Sequence, residues 1–138
     1  MYWIIDILPM QVPAEGAGRY SKVERYFREP EQARLIRGKF SSFLIKLNCY
    51  EDIRMSLDGE NYALNPDPED ICRLIESAFE EHRQLSVILE RTNAMITFDG
   101  DDHYLTFYNP SGELLELSGQ IASSEGLFIW KHPDISQE

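Results

Sequence analysis

Two Asp-Gly pairs lie in groups of acidic side chains. Asp58-Gly59 is followed by Glu60, and the other pair opens the run Asp99-Gly100-Asp101-Asp102. Carboxylates can act as general acids or bases, hold cations, or pair with basic protein surfaces. The second run is not an EF-hand loop, because its sixth and twelfth positions are Tyr104 and Pro110 instead of glycine and glutamate. Ion pairing with a partner is therefore the chemistry that we predict for these acids.

Short motifs of common enzyme classes are absent from the sequence. It contains no G-x-S-x-G, no H-E-x-x-H and no G-x-x-x-x-G-K-[ST]. His82, His103 and His132 have no metal ligand three or four residues further on, and Cys49 and Cys72 form no C-x-x-C pair. We therefore predict no catalytic, cofactor-binding or metal-binding residues, two free thiols, and a chain that is not an enzyme.

The net charge of -11 is unevenly distributed along the 138 residues. Between Arg19 and Lys39 there are seven basic residues and three acidic ones, whereas from Phe40 onward there are six basic and nineteen acidic residues. Such a field repels nucleic-acid phosphates and anionic lipids and attracts basic proteins. We expect a basic protein partner, with no direct binding to nucleic acid or to a membrane. The alternative is that the acidity only maintains solubility.

Length and composition favour one globular domain over residues 1–138. The hydrophobic fraction of 43% is ordinary for a folded protein, and no apolar run approaches the length of about 20 residues that spans a bilayer. The first residues do not resemble a secretion signal, so a cytoplasmic protein is expected. We predict a mobile loop over 9–20, which is rich in glycine and proline, and a frayed tail over 133–138.

Apolar periodicity predicts an α+β fold built mainly on an antiparallel sheet. Strands are predicted over 2–8, 42–47, 53–57, 85–90, 95–98, 103–108 and 127–130. Asp58-Gly59 predicts a tight type I′ hairpin turn, and Asp99-Gly100 predicts a second turn. Residues 31–37 fit either a helix or the start of a strand. The expected sheet has about six to eight strands and is joined by two or three helices.

Three sets of capping signals predict the helices. The capping box Ser21-Lys22-Val23-Glu24 indicates a short helix that ends before Pro30. Asp67-Pro68 begins a second helix with an apolar stripe, and Asn109-Pro110 begins a third that Gly126 ends.

Segments 55–78 and 96–121 share an order of motifs: an Asp-Gly turn, a tyrosine, Asn-Pro and an apolar helix. We hypothesise two hairpin-then-helix units related by internal pseudosymmetry. The alternative is that these are common local solutions.

The acids near the turns and on the second helix are the predicted partner-binding surface, together with two tyrosines. The residues are Asp58, Glu60, Glu76, Glu80, Asp99, Asp101, Asp102, Tyr104 and Tyr108. The tyrosines alternate with Leu105 and Phe107, so that one pair faces the core and the tyrosines are exposed beside the acids. The alternative is that helices cover both faces of the sheet.

In its size, its acidity, its lack of a catalytic motif and its segment 103–131, the chain resembles the immunity proteins of bacterial toxin systems, including those of contact-dependent inhibition and polymorphic toxins. The resemblance implies a stoichiometric inhibitor whose acidic face covers the basic cleft of a toxin, often a nuclease. It includes no diagnostic motif, so no functional residue is carried over. Two alternatives stay open: a small enzyme or ligand-binding domain with an apolar pocket, and a subunit of a larger assembly joined through the basic segment 19–39.

Overall fold

The computed structural model describes residues 2–133 as a seven-stranded antiparallel sheet with four α-helices, which confirms the α+β class. The strands are β1 (Tyr2–Asp6), β2 (Ile53–Ser56), β3 (Ala63–Leu64), β4 (Gln84–Leu89), β5 (Ala94–Asp99), β6 (Leu105–Tyr108) and β7 (Phe128–Lys131). The helices are α1 (Ala17–Phe27), α2 (Pro30–Leu47), α3 (Pro68–Glu81) and α4 (Gly112–Ser124), and a 3-10 helix (Ala14–Gly16) precedes α1. The strand order is β3-β2-β4-β5-β6-β1-β7.

The alternation of side chains divides the sheet into a core face and an outer face. On the core face, Val87 of β4 lies opposite Ile96 of β5, and Ile96 lies opposite Phe107 of β6. All three are fully buried, whereas the outer-face neighbours Ile88 and Met95 are only half-buried. Helices α2, α3 and α4 therefore cover one face of the sheet, as is common for antiparallel sheets.

Helix α2 contributes the largest side chains of the core. Phe40, Phe43, Leu44 and Leu47 are fully buried, and the Phe40 ring lies 5.8 Å from the Phe98 ring of β5. Each such side chain contributes about 1.5–3 kcal/mol by leaving water. Helix α2 contacts α3 along one side and α4 along the other, so it is the centre of the helical layer.

The prediction of a strand over 42–47 is wrong, because these residues form the last turns of α2. Phe43 and Leu47 satisfy period two and also the helical spacing of four residues. The helical stripe continues back through Phe40 to Ile36, which period two does not explain. Residues 31–37, left open between helix and strand, are helical, and the helices therefore number four instead of two or three.

The mobile loop predicted over 9–20 is wrong for its second half. Residues 14–16 form the 3-10 helix, and α1 begins at Ala17 instead of near Ser21. The Ser21 hydroxyl donates to the Ala17 carbonyl at 3.1 Å inside the helix and does not cap it. Gly18 lowers the helix propensity by about 1 kcal/mol without preventing the helix. As predicted, α1 ends before Pro30.

The connection between β2 and β3 is not a type I′ turn. Gly59 has a φ of +76°, but Asp58 is not among the residues with positive φ, which a type I′ turn needs at both central positions. The loop is longer, and Asp58 shapes it through hydrogen bonds to the following residues.

The predicted helix boundaries near residues 67 and 126 are confirmed. Asp67 is the N-cap residue of α3, and Gly126 follows α4 with a φ of +74°. The start of α4 differs slightly, because its N-cap is Ser111, whose hydroxyl accepts the Leu114 N–H at 3.2 Å.

The two segments with similar motifs occupy different positions in the sheet. After α3 the chain returns as β4 beside β2, the first strand of its unit, whereas after α4 it returns as β7 beside β1. The strand orders differ, so the hypothesis of pseudosymmetric units is wrong. The shared motifs are local solutions to turning and capping.

Buried side chains of α2, α3 and α4 and of the sheet form one continuous cluster. The extent of the domain, 1–138, stays a prediction. Residues 134–138 of the predicted frayed tail lie outside the described residues.

Candidate binding site

Three segments that are distant in sequence meet where strands of the sheet end. Ser56 pairs with Ser86 near the start of β4, and Gln84 pairs with Asp99 at the end of β5. The residues that follow or precede these strand ends therefore lie together. We call their carboxylates the acidic edge, which consists of Asp58, Glu60, Glu80, Glu81, Asp99, Asp101 and Asp102. The sequence predicted six of these seven as partner-binding residues, all except Glu81.

Arg83 joins the three segments of the acidic edge. Its guanidinium donates to the Leu57 carbonyl at 3.0 Å and pairs with the Glu81 carboxylate at 3.0 Å. Its backbone N–H donates to the Ala78 carbonyl, and its own carbonyl accepts the Gly100 N–H at 3.0 Å. One basic residue is thus used to position the loops that carry the acids.

Asp58 organises its own loop. Its carboxylate accepts the backbone N–H groups of Glu60 and Asn61, each at 2.8 Å, and the Ser56 hydroxyl at 2.9 Å. The hydrogen bonds from Asn61 and Glu60 hold the pKa of Asp58 well below its usual range. Asp58 is therefore ionised at neutral pH and already has several local donors.

The β5–β6 loop concentrates negative charge. Asp101 contacts His82 at 2.6 Å, and Asp102 accepts a hydrogen bond from the Tyr104 hydroxyl. Burial, with the charges of Asp99 and Asp101, raises the pKa of Asp102 despite that hydrogen bond. The loop therefore holds more like charge than its own contacts neutralise.

The two predicted tyrosines lie on the outer face, each about one-third exposed, at 36% and 37%. Leu105 and Phe107 face the core, so the predicted alternation is confirmed. Tyr104 lies beside Asp102, but Tyr108 lies at the other end of β6, with its ring 5.8 Å from that of Tyr2. The structure thus brings only Tyr104 to the acidic edge.

The predicted residues on α3 differ in their surroundings. Glu76 accepts a hydrogen bond at 2.7 Å from Arg37, whose nearly buried guanidinium also lies 3.7 Å from the centre of the Phe79 ring. Glu80 is exposed at the end of the helix nearest the acidic edge. Glu76 therefore serves the packing of α2 on α3, and Glu80 is free to meet solvent.

A cleft of about 360 Å³ lies beside the acidic edge, between α2, the end of α3 and the β5–β6 loop. Arg28 and Arg37 line it, so basic side chains of segment 19–39 flank the acids. Burial, with the nearby charge of Arg28, lowers the pKa of His103, which also lines this cleft.

A second pocket, which we call the outer pocket, has a volume of about 310 Å³. One part of its wall is the outer face of β1 and β7, with Ile4 and Trp130, and the other part is the segment 8–20. Its polar side chains are Asp6, Gln11, Tyr20, Tyr104 and His132, and Trp130 adds an indole N–H. Most of the remaining wall is aliphatic.

Sequence reasoning did not find the outer pocket. Its residues come from the first strand, from a segment predicted to be a loop, and from the last strand. The alternation of Phe128, Trp130 and His132 was the available signal, because it places three rings on one face of the closing strand. The pairing of β7 with β1, which completes the pocket, joins residues from opposite ends of the chain and has no local sequence signal.

Within residues 2–133, no group of three or more histidine, cysteine or acidic side chains has an arrangement that could hold a metal ion. Cys49 and Cys72 are free and exposed. Among the described helices, none combines the length and the hydropathy needed to cross a bilayer.

Comparisons with known proteins returned nothing that identifies this chain. No family model matches it, and neither a curated protein nor a solved structure is significantly similar to it.

Proposed function

We propose that the chain is a protein-binding module whose acidic edge docks on a basic surface of another protein. The observation that carries the proposal is the convergence of segments 57–60, 80–83 and 99–104 at one edge of the sheet. Seven carboxylates lie there, and the only basic side chains of the three segments are Arg83, His82 and His103. A field of this kind steers a cationic partner and raises its association rate.

Exposure supports the same conclusion. Asp58, Glu60, Glu80 and Asp101 are exposed, and Tyr104 places an aromatic ring beside Asp102 of the same edge. Tyrosine beside charge is typical of interface hot spots because it offers a large contact area with little conformational freedom to lose. Asp99 and Asp102 are half-buried and strengthen the field without needing direct contact.

In its specific form, the proposal is that of an immunity protein that covers the basic cleft of a toxin nuclease. The test is to search the neighbouring genes for a basic nuclease domain, and to measure its cleavage of nucleic acid with and without the chain. An equimolar amount of the chain should abolish cleavage, whereas the variant Asp99→Asn/Asp101→Asn/Asp102→Asn should not.

The docking surface itself is tested with a polylysine peptide as the cationic probe. The variant Asp99→Asn/Asp101→Asn/Asp102→Asn should bind this peptide at least about tenfold more weakly, as measured by calorimetry. The affinity of the unaltered chain should fall steeply between about 0.05 and about 0.5 M NaCl.

A matched variant controls for net charge. Glu69→Gln/Glu113→Gln/Glu116→Gln removes the same number of charges from exposed positions at the starts of α3 and α4. It should keep the affinity within about twofold. Equal loss in both variants would show that only the net charge matters, and the proposal of a defined docking edge would then be abandoned.

A further inference from the structure

Asp6 is the one carboxylate in the wall of the outer pocket. Its Oδ1 accepts the Ile7 N–H at 2.7 Å, and among residues 2–133 no lysine, arginine or histidine forms an ion pair with it. Burial raises the pKa of Asp6. A half-buried carboxylate without a cation is stabilised by a ligand that brings positive charge.

Aromatic side chains line the same pocket as this carboxylate. Tyr20 and Tyr104 line the same pocket as Asp6, and burial, with the charges of Glu24 and Asp6, raises the pKa of Tyr20. Farther along, the Trp130 ring is stacked with that of His132, with centroids 6.3 Å apart and planes within 19°. The faces of tyrosine and tryptophan rings attract organic cations, and aromatic cages commonly bind ammonium groups.

The neutral part of the wall selects for an apolar body. Ile4, Leu8, Val12 and Ala17 line it beside Trp130. The volume of about 310 Å³ is at the lower end of the range of about 300–1,000 Å³ for small-molecule sites. Apolar walls with a few polar groups at one end are the usual form of such sites.

We propose that the outer pocket binds a small organic ammonium ion that carries an apolar body. The charged group lies at the Asp6 end, beside Tyr20 and Tyr104. The apolar body packs on Ile4 and Trp130. This site is separate from the acidic edge, except that Tyr104 contributes to both.

The probe that tests this proposal is phenethylammonium, with phenethyl alcohol and phenylacetate as matched neutral and anionic compounds. Heteronuclear NMR of the whole chain should show saturable shifts of the Trp130 indole N–H. The chain offers an internal control, because Trp3 lies opposite Phe107 on the core face of β1 and should not shift. The ammonium compound should bind at least about tenfold more tightly than the alcohol, and phenylacetate should bind most weakly.

Two variants separate the charged end from the apolar end. Asp6→Asn keeps the side-chain oxygen that accepts the Ile7 N–H and should reduce the ammonium affinity by about tenfold, to that of the alcohol. Trp130→Leu should weaken the binding of both the amine and the alcohol. The NMR spectra of the two variants report whether each is folded, so that misfolding of one variant leaves the other as a test.

The variants of the acidic edge distinguish this proposal from the proposed function. Asp99→Asn/Asp101→Asn, which keeps the hydrogen bond between Asp102 and Tyr104, should leave phenethylammonium binding within about twofold while it weakens polylysine binding. Equal binding of the amine and the alcohol to the unaltered chain would overturn the proposal. So would a preference that survives in Asp6→Asn, or the absence of saturable shifts below about 10 mM probe.

Discussion

Gly100 lies against the last turns of α3, where a Cβ atom built on it would be 2.0 Å from the Ala78 carbonyl oxygen. The Gly100 N–H donates to the Arg83 carbonyl just after α3. The β5–β6 loop is therefore held against the end of this helix. We expect Gly100→Ala to lower the free energy of unfolding by about 1–3 kcal/mol, because backbone must move to make room. Urea unfolding measures the change.

Gly119 provides the matched control for this substitution. It lies inside α4, and a Cβ there would meet nothing within 4 Å. Gly119→Ala should be neutral or raise the free energy of unfolding by up to about 1 kcal/mol, through helix propensity. Equal stability of the two alanine variants would contradict the steric role of Gly100.

Also at the residue scale, His103 makes stability depend on pH. Its pKa in the folded chain is lowered by burial and by Arg28. The unfolded chain therefore binds a proton first as the pH falls below about 6.5, and stability decreases from there through the folded pKa. His103→Gln should reduce the loss of stability between about pH 7 and about pH 5. Urea titrations at several pH values test this, and an unchanged slope would count against it.

At the scale of elements, the N-cap residues of α3 and α4 stabilise their helices in different ways. The Ser111 hydroxyl accepts the Leu114 N–H at the start of α4, whereas Asp67 makes no side-chain hydrogen bond at the start of α3. Ser111→Ala should cost about 1 kcal/mol of unfolding free energy, because it leaves a backbone donor without its acceptor. Asp67→Ala should cost less, since only the favourable charge at the helix start is lost.

Thermal unfolding of the two cap variants gives the comparison directly. Helices α3 and α4 both pack on the same core, so their contributions are measured against a common background. A larger loss for Asp67→Ala than for Ser111→Ala would mean that the charge of Asp67 exceeds the value of the Ser111 hydrogen bond.

At the scale of the whole molecule, self-repulsion follows from the net charge of -11. Salt screens exposed charges beyond a distance of about 10 Å at 0.1 M and about 3 Å at 1 M. We expect the melting temperature to rise by about 2–6 °C between about 0.02 and about 0.5 M NaCl. The variant Asp99→Asn/Asp101→Asn/Asp102→Asn should have a higher melting temperature at low salt and a smaller increase with added salt. A melting temperature that falls with salt would show that ion pairs such as Arg37–Glu76 outweigh the repulsion.

Much of the secondary structure could be predicted from the sequence because the signals that determine it are local. Asp67-Pro68 and the stripe of Ile71 and Ile75 define α3 by themselves, and Gly126 ends α4 as a left-handed residue should. Residues 42–47 show the limit, since their apolar spacing fits a strand as well as a helix. The helix is favoured by the longer apolar stripe that continues through Phe40 and Ile36, and Phe40 packs on Phe98 of the sheet.

The order of residues by itself determined the charge, the absence of common catalytic motifs, and most helices and strands, because these depend on composition and on neighbours a few positions away. The tertiary structure alone decided that segments 57–60, 80–83 and 99–104 meet at one edge, and that β7 lies beside β1 to form the outer pocket. Strand pairing joins residues far apart in the chain, and the hydrophobic pattern that positions them is shared by many alternative strand orders.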